Sequence, residues 1–136
     1  MNEKKKRRHV LGRFFNSTID AVGQVRAIAG RPRNPRNKTV LLEPLVVVDD
    51  EDQWLYADNH HWFAFTKLWR RAEIEVGDYV RVTGRVKIYT RGYQGDNPLW
   101  PTTIGIEPDY ELSNVLKVEV VKPSDEFLQF ILDSQA

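Results

Sequence analysis

The sequence predicts an all-β fold carrying two short helices, and three observations predict it. Apolar and polar residues alternate with a period of two in separate runs, most clearly between Tyr79 and Tyr89. One short helical segment falls between the third run and the fourth, and an amphipathic one follows the last run. Gly, Pro, Asn and Asp gather between the runs, where turns are required.

The first strand is expected over Thr18–Ala29, with Val22, Val25 and Ile28 among small residues, and Gly23 inside it predicts a bulge or sharp bend. The second is expected over Thr39–Val48. Pro44 has no N–H for a ladder, so this strand should lie at an edge or break there. The third runs over Trp54–Tyr56 and again over His60–Phe65. The fourth, Tyr79–Tyr89, places Val80, Val82, Gly84, Val86 and Ile88 on one face, and Tyr79, Arg81, Thr83, Arg85, Lys87 and Tyr89 on the other. The fifth is Val115–Val121. Between the third and fourth, Lys67–Ala72 suits a short helix and Gly77–Asp78 a turn. After the fifth, Ser124 is placed to cap a helix, Asp125 and Glu126 favour its positive end, and Phe127, Leu128, Phe130 and Ile131 form an apolar stripe. The expected organisation is a basic flexible arm over 1–16, a barrel over 17–122 and an amphipathic C-terminal helix over 123–136.

At 136 residues, with 41% hydrophobic and 29% charged residues, the chain is one domain able to bury its own core. It has no cysteine, which removes a disulfide framework, a thiolate metal site and a cysteine nucleophile together. The net charge of +1 conceals a division. Residues 1–38 hold 11 Lys/Arg against 2 Asp/Glu, a net of +9, and the remainder holds 9 against 17, a net of −8. Such asymmetry suggests a basic segment with an anionic partner. Two readings stay open for the run Lys4–Arg8, a solvated tail and an arm that contacts nucleic acid. Val10–Leu11 and Phe14–Phe15 are too short and interrupted for a signal or membrane segment, so a cytoplasmic, membrane-free protein is expected.

Five strands with a helix between the third and fourth resemble the OB-fold, a small, partly open five-stranded Greek-key barrel. The string Gly77-Asp78-Tyr79-Val80-Arg81-Val82-Thr83-Gly84-Arg85-Val86 is similar to the fourth-strand region of OB-fold nucleic-acid binders, with Gly84 letting a coiled strand bend around a small barrel. His60–Lys67, with Tyr89, Arg91-Gly92-Tyr93 and Asp109-Tyr110, also resembles small OB-like proteins carried by phages and mobile elements. The resemblance implies non-catalytic, weakly sequence-specific binding of single-stranded nucleic acid, DNA ahead of RNA, without cofactor or metal. It places the ligand on the second and third strands and on the loops Gly30–Lys38 and Thr90–Ser113.

The residue chemistry fits that ligand, since a single strand offers phosphates to cations and base faces to aromatic rings. The first loop supplies Arg31, Arg33, Arg36 and Lys38. The fourth strand supplies Arg81, Arg85 and Lys87 between Tyr79 and Tyr89, and Arg91 and Tyr93 extend the line. An ordinary solvated strand face is the competing reading. Phe63 and Phe65 are expected in the core and Trp62 on the other face as a stacking residue, with cover by the C-terminal helix as the alternative. Trp69 is expected in the core, and Trp100 as a loop anchor or a base clamp.

Asp49–Asp52, with Asp58, His60 and His61, has the composition of a metal site, but consecutive residues of an extended chain diverge, and a solvated turn is expected instead. Two rival functions stay open: an adaptor docking a protein partner on the C-terminal stripe, and, more remotely, a metal-dependent nuclease built on those acids.

Overall fold

The structure, a computed structural model, describes residues 10–31, 34–91 and 107–135. The strands are β1 (Thr18–Arg31), β2 (Asn34–Val48), β3 (Trp54–Asp58), β4 (His61–Ala64), β5 (Tyr79–Arg91) and β6 (Glu107–Val121). The helices are α1 (Lys67–Arg71) and α2 (Asp125–Gln135). No helix among the described residues is long and apolar enough to cross a membrane.

All pairings are antiparallel, in the order β3-β2-β1-β5-β6, with β4 on β2 beside β3. Strands β1, β2 and β3/β4 follow one another as hairpins, and the chain then returns through α1 to lay β5 beside β1. That is a Greek key, and β6 extends it as a hairpin partner of β5. The result is a five-stranded, OB-fold-like barrel, its third strand divided into β3 and β4. The sheet curls until β4 and β6 face each other across a seam. There the ladder is replaced by a side chain: the Leu112 N–H donates to His61 Nε2 at 3.2 Å.

Alternation explains which residues meet inside. Ile19, Ala21 and Val25 of β1, Val40, Leu42, Leu45 and Val47 of β2, Phe63 of β4, and Val80, Val82 and Val86 of β5 form one buried cluster with Trp69 of α1. Trp69 lies fully buried, its ring centroid 5.3 Å from that of Phe63. The intervening residues Val22 and Val46 point outward, and α2 covers them with Phe127 and Ile131. Ser124 caps that helix, its Oγ accepting the Phe127 N–H at 3.1 Å.

Bends fall where backbone must approach backbone. The β1–β2 register shifts after Gly23, where a Cβ would lie 2.5 Å from the Pro44 carbonyl oxygen. The β5–β6 register shifts around Gly84, where a Cβ would lie 2.8 Å from the Ser113 carbonyl oxygen.

Of the two readings of Pro44, an edge or a break, the break holds. Strand β2 is central, paired with β1 on one side and with β3 and β4 on the other. Pro44 fits because it stands at the break, where β2 exchanges β4 for β3 as partner. The last strand begins at Glu107 rather than Val115, since β6 pairs with β5 out to Arg91. Packing begins before residue 17: a helical turn at 10–12 sends Leu11, fully buried, into the core.

Candidate nucleic-acid interface

Residues directly paired across antiparallel strands share a face, so the register places side chains on the outer surface. Ala27 of β1 pairs with Leu41 of β2, which pairs with Trp62 of β4. In the next row Ala29 pairs with Thr39, and Thr39 with Ala64. The inward residues between these rows, Val40 and Phe63, are buried. The outer surface here is therefore a platform of Ala27, Ala29, Thr39, Leu41 and Ala64 bordered by an indole. Trp62 is 51% exposed, so α2 does not cover it; the expected division of Trp62 outward and Phe63 inward is what the structure has.

Lys38 pairs with Gly30 in the row that continues Val40, not in the platform rows; it is exposed, and its carbonyl accepts the Phe65 N–H at 2.9 Å, which brings its backbone to the end of β4. Lys67 follows two residues after Phe65 and is also exposed, a cation the sequence reading assigned only to helix formation. Arg33 lies outside the described residues, as do the side chains of Arg31 and Arg36.

On its other side Trp62 borders the seam, a groove of about 490 Å³ between Trp62–Ala64 of β4 and Glu111–Val115 of β6. Phe63 and Leu112 form its apolar floor. Beyond β6, the register sets Arg85 opposite Ser113 and Lys87 opposite Glu111, so these two β5 cations face outward on the far bank. Both are exposed. Arg85 also donates through Nη2 to Asn16 Oδ1.

The rest of the expected β5 track is engaged within the fold. Arg81 donates to Asp20 Oδ2 from Nε at 3.0 Å and from Nη2 at 2.6 Å, and Thr83 Oγ1 donates to Asp20 Oδ1 at 2.6 Å. Partial burial pushes the Asp20 carboxyl upward, but the hydrogen bonds from Thr83 and Arg81 and the charges of Arg81 and Lys117 outweigh it and hold the group below its ordinary value. Tyr79 is half-buried, its ring edge-on to Phe127 with centroids 6.3 Å apart. The side chains of Tyr89 and Arg91 lie outside the described residues, as do Tyr93 and Trp100 altogether.

The sequence reading missed Glu111, Ser113 and the bridging role of His61, because it assigned 90–113 to a loop. The signal was present: Tyr110 and Leu112 alternate with Glu111 and Ser113. The pattern then slips at Asn114, whose φ of 46° marks an irregularity in β6.

The acidic run forms the β2–β3 turn, where Asp49 Oδ1 accepts the N–H groups of Glu51 at 2.9 Å and Gln53 at 2.8 Å. Among the described residues, no group of three or more His, Asp or Glu side chains is arranged to hold a metal ion. Of the apolar stripe of α2, Phe127 and Ile131 are buried against Val22 and Val46, and Leu128 and Phe130 are half-buried.

No family model matches the chain, and no curated protein matches it. Among solved structures it is similar to the small single-stranded DNA-binding protein from Streptomyces coelicolor, at 19% identity, covering 78% of this chain and 94% of that one, with a TM-score of 0.39.

Proposed function

We propose that the protein binds single-stranded nucleic acid across the outer platform, without acting on it chemically. The observation that carries this is Trp62. A large indole stands half in solvent at the border of a surface made by Ala27, Ala29, Thr39, Leu41 and Ala64, while its neighbour Phe63 is buried. An unpaired base presents the flat apolar face that such a ring takes, worth roughly 1–3 kcal/mol per stack. Low side chains at positions 27, 29 and 64 let a strand lie close to the sheet.

Phosphates would be met on both sides of the ring. Lys67 stands at one end, Arg31, Arg33, Arg36 and Lys38 lie in the sequence that joins β1 to β2, and Arg85 and Lys87 stand across the seam. Tyr89, Arg91 and Tyr93 continue that second bank in sequence. Tyr79 and Arg81 are left out of the interface, since Phe127 and Asp20 engage them. DNA is taken ahead of RNA, and matched strands of both kinds in one titration decide the order.

The test is an anisotropy titration of a labelled oligonucleotide with wild-type protein, Trp62→Ala and Trp62→Phe. Trp62→Ala should weaken binding about tenfold or more, and Trp62→Phe should retain most of the affinity. Equal affinity for Trp62→Ala would remove the ring from the interface.

A further inference from the structure

The seam beside Trp62 has a chemistry of its own. Its volume of about 490 Å³ falls within the range of small-molecule sites, about 300–1,000 Å³. The floor is apolar, from Phe63 and Leu112, and the indole of Trp62 stands on one bank. On the other bank are the carboxylate of Glu111 and the hydroxyl of Ser113, and the Ser113 Oγ is buried with no hydrogen-bond partner among the described residues. No Lys or Arg lines the groove among the described residues. A phosphate therefore finds no counter-charge inside it, whereas a neutral planar group with hydrogen-bonding edges finds a ring, an apolar floor, a hydroxyl and an acceptor.

We propose that this seam is a pocket for one nucleobase of the bound strand, and that Glu111 makes it select bases carrying an exocyclic amine. The inference rests on the single-strand reading and adds to it a discriminating position. A carboxylate only accepts, so it pairs with the N4 amine of cytosine or the N6 amine of adenine. Thymine presents its O4 carbonyl where those amines stand, and lone pairs would then face lone pairs. A buried hydrogen-bonding group left facing the wrong partner is what produces discrimination. The phosphates of the same nucleotide remain outside, toward Arg85 and Lys87, which the register sets opposite Ser113 and Glu111.

The experiment compares an oligo(dT) of about 15 nucleotides with the same strand carrying one central deoxycytidine, so that stacking within the two strands is nearly the same. Wild-type protein should bind the substituted strand about fivefold tighter. Glu111→Gln, whose amide both donates and accepts, should bring the two affinities within about twofold of each other. Equal affinities in the wild type, or a preference that survives in Glu111→Gln, would overturn the pocket while leaving single-strand binding standing. Failure of the wild type to bind either strand would overturn both.

Discussion

The backbone N–H of Leu112 donates to Nε2 of His61 at 3.2 Å, and this bond does the work of a missing ladder. Nε2 must be the bare nitrogen to accept it. The ring proton therefore sits on Nδ1, which donates to Asp58 Oδ2 at 3.0 Å. Asp58 lies at the end of β3, His61 at the start of β4 and Leu112 in β6, so one imidazole ties the divided third strand to the last. Both His61 and Asp58 are buried. Replacing His61 with Ala strips a buried carboxyl of a donor and leaves the Leu112 N–H facing a void. The expected loss is about 3 kcal/mol, read by denaturant unfolding. An unchanged midpoint would show that the seam closes by other means.

The Asp20 cluster predicts an acid-sensitive contribution. Its carboxyl is held low by Thr83 and Arg81 against the opposing effect of partial burial. A carboxyl with a depressed folded-state pKa contributes stability that is present above its unfolded value, about 4, and is lost as pH falls through the folded value. Asp20→Asn should therefore cost about 1 kcal/mol near neutrality, the scale of a half-exposed ion pair. The difference from wild type should shrink below about pH 4. Thermal melts of both proteins across that range check it, and a gap that widens in acid would reverse the assignment.

Helix α2 is predicted to belong to the fold. Phe127 packs against Trp54 at 5.3 Å between ring centroids and against Val22 and Val46. Phe127→Ala should cost about 3–4 kcal/mol, and removal of 123–136 should expose the outer face of β1 and β2 and unfold or aggregate the barrel. A truncated chain that melts like the full one would return the helix to the role of a free docking element.

Much of this was legible because alternation is a local signal. Val80, Val82 and Val86 against Arg81, Arg85 and Lys87 fix two faces without knowledge of the neighbours, and the split of Trp62 from Phe63 follows from the same rule. What escaped was set by pairing at a distance. Arg81 reads as a free cation until β1 brings Asp20, 61 residues away, to within hydrogen-bonding range. The start of β6 reads as loop because Pro108, Ser113 and Asn114 interrupt its pattern, and only the β5 partner out to Arg91 shows it as strand. Pro44 reads as an edge or as a break, and only the pairing decides between them: the strand is central and changes its partner there. The seam, formed by residues about 50 apart in sequence, has no local signature at all.

Single-strand binding across Trp62 is tested most directly by titrating one labelled strand and its duplex over a range of salt concentrations. Binding of the single strand should be the tighter, because only it exposes base faces. Its log affinity should fall linearly with log salt, by about 0.7 for each phosphate contacted. Equal affinity for the duplex, or an affinity indifferent to salt, would contradict it.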